Sequence, residues 1–222
     1  MNRVYLHPLP LRVWHWVNAL TVILLLATGT QFRVPGIASL WTHNPSLGLH
    51  KWAGIAMTAL WVFWLIYGLA TGHVLRHYAV RRQDLAGIPG QMKFYMLSIF
   101  RGEKSPFRPS PEAKYHALQK LAYGSVMGVF TPITVATGLF FVGGFRIGGE
   151  LLPFDTIKTI DVVHVTGLYV FALFLVIHVY MATTGETVFS HIRSMITGYE
   201  EQPDEPGAGE ERSIPEITEE KE

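Results

Sequence analysis

No cysteine occurs among the 222 residues. Iron–sulfur clusters, covalent Cys-x-x-Cys-His haem attachment, disulfides and thiolate zinc sites are therefore excluded within this chain. Charge is scarce as well: only 16% of residues are Asp, Glu, Lys or Arg, against about 25% in an ordinary soluble domain. The shortage is concentrated in four places. Residues 13–32, 52–75, 121–145 and 162–185 contain no such side chain. Each run has at least 20 residues, enough to cross a hydrocarbon core about 30 Å thick as a helix. None shows the polar stripe that a soluble amphipathic helix needs. The first run, with Trp14, His15 and Trp16, is too long and too aromatic for a cleavable signal peptide.

The expected fold is all-α: an integral membrane four-helix bundle over residues 1–200, with helices near 11–31, 45–71, 113–142 and 160–189. Pro132 lies mid-span in the third helix and predicts a kink there. Residues 91–100 mix Lys93 with Met92, Phe94, Tyr95, Met96 and Phe100, which predicts a short helix lying on the membrane surface. Residues 201–222 are rich in Glu, Pro and Gly and predict a disordered acidic tail.

Orientation follows from where the few cations sit. Arg76, Arg81, Arg82, Lys93, Arg101, Lys104, Arg108 and Lys114 all fall between the second and third runs. The other connections carry only Arg33 and Lys51, then Arg146 and Lys158. The positive-inside rule places the middle loop and both termini in the cytoplasm of a cell with a single energised inner membrane. Nothing suggests a nucleic-acid partner.

Within the fourth run, His164 and His178 stand fourteen residues apart. That interval is about 21 Å of rise and close to four whole turns, so both imidazoles leave one face of one helix at two depths. Ionisable groups so deep are costly and usually functional. Alternating helix direction puts His15 at the inner level with His178, and His50 at the outer level with His164. Two depth-matched pairs from different helices suit bis-imidazole ligation of two haem b irons stacked across a bilayer. With no further cofactor site visible, electrons must pass to another subunit.

One more histidine invites a role. His116 opens the third helix in Lys114-Tyr115-His116-Ala117-Leu118-Gln119-Lys120, level with the inner pair. His116, Gln119 and Lys120 offer the donors and the proton relay that a quinone head group requires; the same stretch also reads as a basic, amphipathic helix start anchored among lipid head groups. Of the other histidines, His7, His43, His73, His77 and His191 fall in loops or at helix ends and are expected to be mostly solvated.

Taken together, Trp14-His15-Trp16, His50-Lys51-Trp52, Lys-Tyr-His-x-x-Gln-Lys and the His164/His178 spacing resemble one family over residues 5–200. It is the four-helix di-haem cytochrome b subunits of membrane-bound formate dehydrogenases, with related thiosulfate-reductase and nickel–iron hydrogenase cytochromes. The resemblance implies two b haems, a menaquinone or ubiquinone site beside the inner one, and an outer-face iron–sulfur subunit bearing a molybdenum, tungsten or hydrogenase-type catalytic subunit. It also implies asparagine where this chain has His116, a change in the polarity of the quinone pocket. Two other functions fit the spans: a stand-alone b561-like quinol oxidase module, and a non-redox transporter subunit with a histidine proton path.

Overall fold

The computed structural model of the chain describes residues 2–34, 43–103, 107, 109–111, 113–147, 149–185 and 187–202. Four of its helical stretches are long and apolar enough to cross a membrane: Leu9–Arg33, Pro45–Ala70, Ala117–Val142 and Phe154–Ala182. The first is α1 (Leu9–Arg33) and the second lies in α2 (His43–Ala70). The third is composite, α5 (Ala117–Ser125) running through a π-turn at Val126–Phe130 into α6 (Thr131–Val142). The fourth is α7 (Phe154–Ala182). Contacts run α1 to α2, α2 to α6, α6 to α7 and α7 back to α1, which closes a ring of four helices. Large apolar side chains such as Leu20, Trp52, Ile66, Leu173 and Val176 remain exposed on the outside of that ring. Such a surface is suited to lipid rather than water.

Proline explains the third span. Pro132 has no N–H to give to the preceding turn, and the helix widens into a π-turn just before it. The Thr131 N–H bonds the Val126 carbonyl, with the Thr131 hydroxyl donating to the same oxygen at 2.8 Å. The Met127 carbonyl released by this widening accepts the Trp61 indole N–H at 2.9 Å, tying α2 to the π-turn. Trp14 does the same for α1 and α2, donating to the Leu60 carbonyl at 2.8 Å.

Several boundaries differ from expectation. The fourth span starts at Phe154, directly after Pro153, and ends at Ala182 rather than 189. The Thr183 and Thr184 hydroxyls there donate to the Tyr180 and Met181 carbonyls at 2.7 and 2.8 Å, turning the chain out of the helix. The surface helix is longer than expected: after the short α3 (His73–His77), α4 runs from Arg82 to Met96. Its start is fixed by the Asp84 carboxylate, which accepts the Arg81 N–H at 2.7 Å. The tail reading also needs correction at its beginning. After α8 (Ser190–Thr197), Glu201 and Gln202 belong to strand β4 (Tyr199–Gln202). It pairs antiparallel with β1 (Asn2–Tyr5), Arg3 facing Glu201. Glu200 is buried and pairs with the His191 ring at 3.1 Å. Residues 203–222, together with Lys104 and Arg108 of the basic loop, lie outside the described residues. A second small hairpin, β2 (Arg146–Ile147) with β3 (Glu150–Leu151), joins α6 to α7.

Candidate haem-binding pairs and the His116 cluster

The ring of helices brings the four deep histidines together in two pairs. His15 of α1 and His178 of α7 have ring centres 6.1 Å apart. His50 of α2 and His164 of α7 have theirs 6.3 Å apart. An imidazole nitrogen bonds a transition metal at about 2 Å and lies about an ångström from its ring centre, so two rings flanking one metal have centres about 6 Å apart. Among the described residues no three His, Asp or Glu side chains gather as a metal-binding group. Each pair thus offers two imidazole donors and would suit a metal whose remaining ligands come with a cofactor. The donor set fits haem b.

Hydrogen bonding settles which nitrogen is free in the upper pair. The fully buried Thr28 hydroxyl lies 2.7 Å from both the Leu24 carbonyl and His50 Nδ1; with its proton on the carbonyl, its oxygen accepts from Nδ1. His164 Nδ1 lies 3.2 Å from the Thr134 carbonyl, which can only accept, and 3.0 Å from the Thr137 hydroxyl. That hydroxyl in turn donates to the Ile133 carbonyl at 2.8 Å. Both Nδ1 atoms therefore carry the proton, and both Nε2 atoms keep a lone pair for a metal. The lower pair is held differently. His15 Nδ1 and His178 Nδ1 are buried with no hydrogen-bond partner among the described residues. Aromatic packing fixes these rings instead: Phe174 stacks on His178 at 5.5 Å and Tyr123 meets it edge-on at 6.0 Å.

Between the pairs lies a dry layer. Met57, Val126 and Phe171 form the buried core cluster, with Val22, Leu25, Leu26 and Phe174 packed against it. Phe171 is midway along α7 between His164 and His178, so the layer separates the two sites. Apolar packing of this kind offers no polar partners to a chain of water. Glycine keeps the helices close above the layer. A Cβ on Gly138 would sit 3.2 Å from His164 Cε1, and one on Gly167 would press on Thr134. The latter contact would displace the segment that orients His164.

His116, Gln119 and Lys120 also come together, but as parts of the structure. His116 is buried and caps α5: its Nδ1 accepts from the Gln119 N–H at 3.4 Å, and the Gln119 side chain accepts from the His116 N–H at 3.2 Å. With Nδ1 accepting, Nε2 carries the proton and donates to the Tyr95 oxygen at 3.1 Å. Burial lowers this imidazole to about 4, so it is neutral at physiological pH. The expected proton shuttle thus starts as a neutral donor. Lys120 is committed to Asp84 of α4 at 2.9 Å, both side chains being largely buried. Burial alone would raise Asp84, but the Lys120 ammonium and the Arg81 N–H hold it below the ordinary carboxylate value. The cluster reaches the lower pair through Tyr123, one turn beyond Gln119 and against His178.

Two histidines expected in solvent are buried. His73 and His77 pack against Tyr78 and Tyr115, and burial, then the Lys114 charge, lowers them to about 3 and about 4. With Tyr67, Arg76 and Lys114 they line a cavity of about 200 Å³, which none of His116, Gln119 and Lys120 borders. Of the residues that complete the sites, the sequence singles out neither Thr28, Thr134, Thr137 nor Asp84, and it marks Tyr95 only as part of the surface helix. Threonine inside an apolar run was the available signal, since a hydroxyl at that depth needs a partner.

Residues 6–198 match the family model described as prokaryotic cytochrome b561. Among curated proteins, the putative cytochrome YdhU of Escherichia coli strain K12 is 30% identical over 201 residues, covering 89% of this chain and 75% of that protein. A probable Ni/Fe-hydrogenase B-type cytochrome subunit of Rhodobacter capsulatus is 26% identical, covering 88% of this chain and 80% of its own length. The corresponding subunit of Cupriavidus necator is 23% identical, with 90% and 87% covered.

Proposed function

The chain belongs to the prokaryotic cytochrome b561 family, a multi-pass membrane cytochrome b of electron transfer, and from that premise we propose that it is the di-haem, quinone-reactive subunit of a bacterial respiratory oxidoreductase. His50 and His164 hold one haem b, and His15 and His178 hold the other. When bound, each haem supplies an iron that takes and gives single electrons without moving a proton. The observation that carries this reading is the pair of ring separations, 6.1 and 6.3 Å, at two levels of one bundle.

The chain's own residues divide the remaining work. Thr28, Thr134 and Thr137 set the tautomers of the upper ligands, and the Met57–Phe171 layer keeps protons from crossing. The His116 cluster adjoins the lower pair, where a menaquinone or ubiquinone head group exchanges two electrons and two protons. The upper end faces a partner redox subunit. The names of the hydrogenase relatives favour a hydrogenase-type catalytic partner over a molybdenum or tungsten enzyme. Because this chain has no cysteine, the iron–sulfur relay between them belongs to a further subunit in this reading.

An absorbance spectrum of the purified protein tests the reading first. Reduction should give sharp visible bands of bis-imidazole haem b, at two haems per chain, while a histidine-lined transporter would be colourless. A partner that co-purifies separates a subunit from a stand-alone quinol oxidase module. Orientation is a second expectation. The Arg76–Lys114 connection and both termini should be cytoplasmic, in the inner membrane. The absence of native cysteine makes Arg101→Cys a single labelling site. An impermeant thiol reagent should modify it only after the membrane is opened; modification in intact cells would reverse the orientation and exchange the two sites.

A further inference from the structure

The two histidine pairs differ in what their far nitrogens touch. His50 Nδ1 meets the Thr28 hydroxyl at 2.7 Å, and His164 Nδ1 meets the Thr137 hydroxyl at 3.0 Å and the Thr134 carbonyl at 3.2 Å. With Nε2 given to a metal, Nδ1 carries the ring proton, and both hydroxyls can receive it because each has a backbone carbonyl for its own proton, at 2.7 and 2.8 Å. At the other site His15 Nδ1 and His178 Nδ1 are equally buried and have no acceptor among the described residues. One pair is therefore polarised twice over and the other not at all.

We propose that Thr28 and Thr137 act as positioning and tuning residues that hold the His50–His164 site at a lower reduction potential than the His15–His178 site. This rests on the haem reading above. An acceptor at Nδ1 draws the ring proton outward, and the imidazole gains negative character. It becomes a stronger donor through Nε2, and a more basic ligand favours the oxidised metal. Low dielectric strengthens the effect, because no water competes with the hydroxyl at a fully buried Thr28. The outcome is a slope in the chain itself: electrons entering at the His50–His164 end run downhill to the His15–His178 end, beside the His116 cluster. Thr134 contributes through its backbone carbonyl and is not open to substitution, so the two hydroxyls are the residues a variant can reach.

The test is a redox titration of the purified full chain, followed by visible absorbance, for wild type, Thr28→Val, Thr137→Val and Thr28→Ser. His50→Ala and His15→Ala first assign the two components to their sites. Thr28→Val should move the lower-potential component upward by about tenfold in the reduction equilibrium, about 59 mV for a one-electron couple. Thr137→Val should move it the same way by less, because the Thr134 carbonyl still accepts from His164, and neither should move the other component. Serine keeps the hydroxyl and should restore the wild-type value. Should Thr28→Val lose its haem, Thr137→Val decides, because His164 retains the Thr134 carbonyl. Unmoved potentials with both haems retained would overturn the inference and leave the haem reading intact. So would a lower potential at His15–His178, or loss of haem from both valine variants, which would make the hydroxyls structural only. Failure of the reading itself looks different: His50→Ala and His15→Ala would then remove the same component, or none.

Discussion

Replacing His50 or His164 with alanine will remove one haem component completely and leave the other, and replacing His15 or His178 will do the reverse. The pairs are separated by fourteen residues of α7, about 21 Å, with the Met57–Val126–Phe171 layer between them. Sites so far apart, with no shared side chain, respond independently to substitution. Within one pair the opposite holds, since the two rings flank one centre and losing either takes half of its protein ligation. Haem content per chain, with the reduced-minus-oxidised spectrum of each variant, reads the result. If His15→Ala and His50→Ala erase the same component, the pairing is wrong.

The pairing could be inferred before any coordinates because it depends on two periodicities alone: helix rise, and the alternation of helix direction across a membrane. Charge-free runs gave the spans for the same reason, as lipid tolerates little else. What escaped depends on partners distant in sequence. Strand β1 meets β4 across almost the whole chain, from Asn2 to Gln202, and a four-residue strand carries no pattern of its own. The helix ends shifted because capping was decided locally, by Pro153 before α7 and Asp84 near the start of α4, beyond the apolar stretch that defined the span. The π-turn was visible only as a proline. The threonines beside His50 and His164 have no partner that the apolar run itself specifies, and they meet the two imidazoles only through the assembly of α1 with α2 and of α6 with α7. His73 and His77 were misplaced in solvent because the tyrosines that cover them come from another part of the chain as well as their own.

His116→Ala should leave both haems bound and slow electron exchange between quinone and the His15–His178 site by about 10²-fold, the lower end of what a positioned proton-transferring group contributes. The lower end is expected because His116 is neutral, with burial holding it at about 4. It donates from Nε2 and must be re-protonated through Tyr95, 3.1 Å away. The rate should accordingly be flat between about pH 6 and 8 as far as this group is concerned. The sign is fixed by the lowered value: protonation enters only in acid, where a cationic ring would also lose its hold on the Gln119 N–H and uncap α5. Alanine costs about 1 kcal/mol of helix stability through the same lost cap. His116→Asn is the control for the cap, since asparagine caps well but its neutral amide transfers no proton; it should be about as slow as alanine. Stopped-flow oxidation of a quinol analogue, with haem content measured on the same samples, separates the cases. Equally slow alanine and asparagine variants, with both haems retained, place the proton transfer at His116, whereas a normal asparagine variant beside a slow alanine one reports only the lost cap. Equal and unchanged rates in both would make His116 a helix cap alone and move the search to the cavity between Tyr67, His73, Arg76, His77 and Lys114. There His77 Nδ1 is buried without a hydrogen-bond partner among the described residues, a donor or acceptor that a quinone carbonyl or hydroxyl would satisfy.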